Sequence, residues 1–213
     1  MSNVLVFGHQ NPDNDAIMSS VVLSQLLNQV EFDGNTYQAC CLGPLPAESA
    51  KLLEDNGVAA PMLIDAIEPA AEGEEAQLVV LCDHNEPGQS VTGLENAVIA
   101  GVVDHHRFGN FTTAAPLHIV ALPWGSSCSI VAKLFEVLGV EPTDVQAKLL
   151  LSAMMTDTLM LKSPTATAID AAIAKKLGDQ IGVDPVKFGM EVFLTRPSGS
   201  FTAEQMVGND IKM

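Results

Sequence analysis

Basic residues are scarce in this chain: ten Lys and Arg stand against 26 Asp and Glu in 213 residues, a formal charge of −16. Such a surface repels nucleic acid phosphates over most of its extent, so no nucleic acid partner is expected. Aromatic side chains are also few, 5% of the residues with one Trp and one Tyr. A strand-processing nuclease combines a basic groove with stacking rings, and neither half of that pattern is present. No apolar run reaches the ~18 residues of a membrane span. Nor does a basic stretch, an apolar run and a small-residue cleavage site precede the first apolar segment, so the expectation is a cytoplasmic protein with no membrane partner. The four cysteines, Cys40, Cys41, Cys82 and Cys128, show no C-x-x-C spacing, which argues against a zinc ribbon or a thioredoxin-type pair and leaves them as reduced core residues. Internal repeats and low-complexity tracts are missing too.

What is present is enough apolar residue for a sizeable core, 47% of the chain, with a mean hydropathy of +0.25. Continuous apolar runs alternate with amphipathic stretches, the pattern of an α/β protein: a doubly wound, mostly parallel β-sheet covered by helices on both faces. Strands are expected at Val4 to Phe7, Thr36 to Leu42, Met62 to Ile64, Gln77 to Cys82, Ala97 to Val103 and Leu117 to Leu122, the last with His118 as a core residue. Helices are expected at Ala16 to Val30 and Pro46 to Asn56, the latter stopped by Gly57. Four more, Ser129 to Leu138, Thr143 to Met155, Thr165 to Leu177 and Pro185 to Leu194, make the C-terminal part helical. Arg196-Pro197-Ser198-Gly199-Ser200 reads as a breaker-rich linker. The expected organisation is one domain over 1–195, then a linker and the start of a further, missing domain over 196–213.

The chemistry concentrates where strands end. His9, Asp13 and Asp15 follow the first apolar run with H-x-x-x-D-x-D spacing, and Asp104-His105-His106 follows a later one, the positions at which open parallel sheets bind ligands. One imidazole and two carboxylates at a strand-to-helix junction can converge on a cation. Pro12 is expected to hold Asn11 extended, and negative charge at the start of the following helix is favourable. An N-cap by itself accounts for Asp13 equally well. Asp83, at the end of another strand, can bridge two cations with its two oxygens. Asp157 lies after an apolar helix, where a carboxylate is costly unless paired or metal-bound; a helix-terminal cap is the plainer account. Adjacent His105 and His106 point oppositely if the backbone is extended, so one is expected on metal and the other toward substrate, as a proton or hydrogen-bond donor. Asp104 is expected to orient an imidazole. His84 fits either that task or a structural one.

The strings GHQNPDNDAI, LCDHNE, GVVDHHR and TDTLMLKSPT, in this order, resemble the DHH phosphoesterase superfamily and, more narrowly, the manganese-dependent family II inorganic pyrophosphatases. That resemblance implies two Mn2+ ions per subunit, with Co2+ as an alternative and Mg2+ arriving with the substrate. It implies one metal on His9, Asp13 and Asp83 and the other on Asp15, Asp83, His105 and Asp157. A metal-bridged water would hydrolyse pyrophosphate to two phosphates, with Asp83 and His106 as the catalytic side chains and His106 on the substrate. It further implies a homodimer and, after the linker, a second domain whose Arg and Lys residues clamp the phosphates. Lys212 matches a substrate-binding lysine near that linker, or is an exposed terminal lysine. The rival readings are another DHH phosphoesterase, an exopolyphosphatase or exonuclease, and a non-catalytic metal-binding and dimerisation module.

Overall fold

Buried strands of a parallel sheet must be apolar on both faces, and the runs in this chain meet that demand. The computed structural model describes residues 2–196, so Lys212 and nearly all of the expected linker lie outside the described residues. In chain order the elements are β1 (Asn3–Phe7), α1 (Asn14–Gln29), β2 (Thr36–Cys41), α2 (Ala47–Asp55), β3 (Met62–Leu63), β4 (Leu78–Cys82), β5 (Val98–Asp104) and β6 (His118–Ala121), followed by α3 (Ser127–Val137), α4 (Asp144–Asp157), α5 (Ala168–Ile181) and α6 (Pro185–Phe193). The six strands form one sheet in the order β3-β2-β1-β4-β5-β6, and every pairing is parallel. The fold is α/β and doubly wound: from β1 the chain builds outward to β2 and β3, then returns to the other side of β1 for β4, β5 and β6.

The two faces of the sheet are covered differently. Val4 and Val6 of β1 and Val80 and Cys82 of β4 join a large core with buried residues from all six helices. Leu5, Phe7, Val79 and Leu81, pointing the other way, meet Ile67, Val91 and Leu94 instead. Ile67 comes from the β3–β4 connection, and Val91 and Leu94 from the β4–β5 connection, where a Pro- and Gly-containing stretch forms short single turns at Pro87–Gln89 and Leu94–Asn96 rather than a full helix. Pro removes backbone donors and Gly weakens helices, so coil covers this face. The four cysteines are buried and unpaired.

Three expectations change. Helices do not cover both faces of the sheet: buried residues of all six helices join the core on one face, and loops and single turns cover the other, because the connections from β3 to β6 form no full helix. His118 is not in the core: β6 is the last strand of the sheet, its first residue is exposed, and the His118 ring meets Phe32 edge-on at 5.2 Å. α4 runs past Met155 to Asp157, which brings that carboxylate to the helix C-terminus rather than beyond it. The helix starts that matter are capped by side chains: Asp13 accepts from Ala16 N–H, Ser126 from Cys128 N–H and Thr143 from Gln146 N–H, each satisfying an otherwise orphan donor. At Gly8 a Cβ would stand 2.7 Å from the Cα and carbonyl oxygen of Ala16. Only glycine lets α1 start this close to the end of β1.

Candidate metal centre

The sheet changes winding direction between β1 and β4, the adjacent strands from which the chain builds outward in opposite senses. A crevice opens outside the strand ends at such a point because the flanking connections depart to opposite sides. His9 follows β1, Asp83 follows β4 and His105 follows β5, so three donors enter that crevice from neighbouring strand ends. α1 adds Asp13 at its N-cap and Asp15 in its first turn, and α4 adds Asp157 as its last residue. A carboxylate opposes the dipole at a helix C-terminus, so helix stability does not account for Asp157. Asp83 and Asn11 adopt left-handed backbone, at φ 58° and 51°, a conformation that costs side chains about 1–2 kcal/mol. Pro12 therefore does not keep Asn11 extended. The clash with proline disfavours right-handed helical backbone, and Asn, which tolerates the left-handed region, takes that instead.

The side chains converge in two sets. His9, Asp13 and Asp83 form one and Asp15, His105 and Asp157 the other, with potential ligand atoms within 4.8 Å of one another; Asp83, His105 and His106 form a third, overlapping group. Asp83 is shared by its two oxygens: Oδ2 lies 3.4 Å from His9 Nε2 and Oδ1 lies 3.2 Å from His105 Nε2. Asp13 divides its oxygens as well, with Oδ1 on Ala16 N–H at 2.9 Å and Oδ2 3.5 Å from His9 Nε2. Its capping and site roles are thus compatible. Asp15 is gripped by the start of α3: Ser126 Oγ and Cys128 N–H donate to Oδ1 at 2.7 and 3.0 Å, and Ser127 N–H donates to Oδ2 at 2.6 Å. With both lone-pair positions of Oδ1 occupied, Oδ2 keeps one free. Ser127 Oγ also donates to Asp83 Oδ1 at 3.1 Å.

These donors suit a divalent cation. His9 Nδ1 faces Gln10 O at 2.8 Å and His105 Nδ1 faces Trp124 O at 3.0 Å. A carbonyl only accepts, so both Nδ1 atoms carry hydrogen and each neutral ring offers Nε2 as a ligand. His9 Nε2 is buried and has no hydrogen-bond partner. Its 3.4 and 3.5 Å separations from carboxylate oxygens match ligands about 2.1 Å from one cation, which stand about 3.0–3.4 Å apart.

Electrostatics point the same way. Burial disfavours charge on His9, but Asp13 and Asp83 outweigh it and raise the imidazole to about 11. Burial likewise opposes charge on His105, and Asp83, Asp157 and Asp15 raise it to about 11. Burial would lift Asp83, yet the two imidazoles hold it well below the usual carboxylate range. Asp15 is pushed up to about 6 by burial and by Asp83, and Asp157 is driven well above its ordinary value by burial and by the charges of Asp15 and Asp13. Without cations, protons must neutralise this cluster; divalent ions replace them.

His105 and His106 do not diverge by strand alternation. β5 ends at Asp104, and the two rings are neighbours with centroids 4.1 Å apart. What separates them is their anchoring: His105 is held by Trp124 O, whereas His106 Nδ1 lies 2.9 Å from Asp104 Oδ1. His106 is one-third exposed and lines a cleft of about 500 Å³ beside the carboxylates. Asp104 therefore orients His106, not His105. Asn85, absent from the sequence-based set, donates to Asp104 Oδ2 at 2.6 Å and Arg107 O at 2.9 Å and accepts from Gly109 N–H at 3.1 Å, clamping the loop that carries both histidines. His84 is structural: buried, it donates from Nδ1 to Cys82 O at 2.8 Å, which leaves Nε2 to accept from Ser90 Oγ at 3.0 Å. The serines that open α3, Ser126 at its cap and Ser127 as its first residue, were also missed. A Ser ahead of an apolar run marks an N-cap, but nothing local shows that the cap reaches Asp15.

A family model described as the DHH family, N-terminal domain, matches residues 3–161. A Streptococcus agalactiae protein named "probable manganese-dependent inorganic pyrophosphatase" is 42% identical over 213 residues, 100% of this chain and 67% of its own length. A Streptococcus mutans protein of the same name is 41% identical over 100% of this chain and 66% of its own. The chain thus spans about two thirds of the length of these curated relatives. Among solved structures, a Methanococcus jannaschii protein described as a "putative family II inorganic pyrophosphatase" matches with a TM-score of 0.78 and 33% identity, over 90% of this chain and 61% of that one. An exopolyphosphatase-related protein from Bacteroides fragilis shares the fold, with a TM-score of 0.68 at 19% identity over 92% of this chain and 57% of that one.

Proposed function

The chain belongs to the DHH family and, within it, to the manganese-dependent inorganic pyrophosphatases, and from that premise we propose that the intact protein hydrolyses pyrophosphate to two phosphates at a two-cation site. The observation that carries this reading is Asp83, whose two oxygens face two different imidazoles across the winding switch of the sheet. His9, Asp13 and Asp83 hold one cation; Asp15, Asp83, His105 and Asp157 hold the other. Manganese bound there supplies Lewis acidity and a water activated at neutral pH for attack on phosphorus. Trp124 O and Gln10 O fix the two imidazoles so that Nε2 is the donor. Asp104, accepting from Nδ1–H of His106, turns that ring so that Nε2 faces the phosphate, to which it donates a hydrogen bond when the ring is an imidazolium. Co2+ as an alternative metal, Mg2+ carried in with the substrate, a homodimer and a cytoplasmic location complete the proposal on the strength of the family resemblance. Among the described residues no helix is long and apolar enough to cross a membrane.

The test is phosphate release by purified full-length protein supplied with Mn2+. Turnover of pyrophosphate over polyphosphate and single-stranded DNA is expected; no release from pyrophosphate defeats the reading, and preference for another substrate selects the exopolyphosphatase or exonuclease alternative.

One observation favours a narrower role for these 213 residues by themselves. Among the described residues lining the cleft, Arg107 is the sole Lys or Arg. Metals position the reacting phosphate, but one arginine leaves the remote one loosely held, so both substrate affinity and rate should fall short of a full-length relative. Activity equal to that relative would exclude the metal-binding module.

A further inference from the structure

Asp170 has no part in the reading above, and its surroundings differ from those of an ordinary helix cap. It is the third residue of α5, fully buried, and its Oδ2 accepts from the backbone N–H and hydroxyl of Thr167 at 2.8 and 2.6 Å, closing a capping box. A carboxylate serving only that box can stay at the surface, where its charge need not leave water. Asp170 turns inward and engages a second element. Gly125 N–H donates to Oδ2 at 2.9 Å and Ser129 Oγ donates to Oδ1 at 2.5 Å.

Those two donors bracket Ser126, Ser127 and Cys128, the residues that hold Asp15 by three hydrogen bonds and Asp83 by one. The approach is tight. A Cβ on Gly125 would stand 3.0 Å from Asp170 Oδ2 and 2.6 Å from Thr158 Cγ2, and Thr158 directly follows Asp157. One buried carboxylate thus ties the starts of α5 and α3 together beside the end of α4.

We propose that Asp170 is a positioning residue for the metal centre: by anchoring both ends of the turn that opens α3, it determines where Asp15 and Asp83 present their oxygens to a divalent cation. This rests on the two-cation reading of the site. Its effect passes through Ser126 and Ser127, and Asp170 itself touches neither cation nor substrate.

Mn2+ affinity, measured by calorimetry on the purified protein, tests it, with circular dichroism and the metal-free melting temperature as controls. Asp170→Ala should weaken Mn2+ binding measurably, by no more than the roughly ten- to hundredfold seen when a direct partner of a metal ligand is lost, and Ser129→Ala should weaken it in the same direction by less. Asp170→Asn, which keeps an oxygen for the three donors on that side, should bind more tightly than Asp170→Ala. A role confined to capping α5 would move the melting temperature and leave affinity alone. A folded Asp170→Ala or Ser129→Ala protein with wild-type affinity overturns the proposal, as does an Asn variant no better than Ala. Should Asp170→Ala fail to fold, Ser129→Ala decides. Failure of the wild-type protein to bind Mn2+ would instead remove the two-cation reading.

Discussion

Replacing His105 and His106 singly by Ala should separate metal binding from substrate handling, because adjacent rings are anchored to different partners. His105 Nε2 lies 3.2 Å from Asp83 Oδ1 and 3.7 Å from Asp157 Oδ2, so its removal takes a donor from between two carboxylates. His106 is tied to Asp104 at 2.9 Å and faces the cleft. At free Mn2+ a hundredfold above the wild-type Kd, a ligand selective for the folded state adds about 2.7 kcal/mol of stability. For a domain of this size that is roughly 5–11 °C in melting temperature, at about 2–4 °C per kcal/mol. If His105→Ala weakens binding about a hundredfold, the same Mn2+ concentration only equals its Kd, and the gain shrinks to about 0.4 kcal/mol, near 1 °C. His106→Ala should keep the whole shift and lose turnover. The assay is thermal unfolding with and without Mn2+, paired with elemental analysis of the dialysed proteins. Equal loss of metal and of thermal shift in both variants refutes the division of roles.

Gly8→Ala should lower the melting temperature, since the added methyl meets the backbone of Ala16 at 2.7 Å and overpacking of this kind costs about 1–3 kcal/mol; an unchanged melting curve would show that α1 can move away freely. Asn85→Ala removes three hydrogen bonds from the loop that carries His105 and His106, and turnover should fall while bound manganese persists; loss of the metal together with turnover would show that the loop is not what Asn85 controls. The four cysteines are buried and their thiols are all raised by burial, Cys40 to about 12. The native protein should therefore give no rapid reaction with a thiol reagent, and four equivalents after denaturation; fast labelling in the native state contradicts that environment.

Periodicity made the fold legible. Apolar runs with no polar face require a sheet covered on both sides, and their alternation with helical patterns implies a parallel one, so α/β doubly wound architecture follows from pattern alone. The candidate donors were legible by the same token, because His9, Asp83 and His105 stand immediately after such runs. Where local reasoning failed, a non-local contact had intervened. Alternation assumed an extended backbone through His106, whereas β5 ends at Asp104. Pattern placed His118 in the core, but burial depends on whether a strand has neighbours on both sides, and β6 does not. Pro12 excluded one backbone region for Asn11 and left the choice of another to the loop.

Strand and helix identity, and the placing of a histidine or carboxylate at each strand end, are short-range properties carried by residue type and spacing. Which strand lies beside which is not. The order that puts β4 against β1 brings Asp83 between His9 and His105, residues 74 and 22 positions away along the chain. Only in that packing does one carboxylate acquire two imidazoles, Asp15 acquire the N-terminus of α3, and buried Asp170 acquire donors from either side of the same turn. Hydrogen bonds and charge interactions act over a few ångströms of space whatever the separation in sequence, so the donors could be named from the chain, but their pairing had to await the fold.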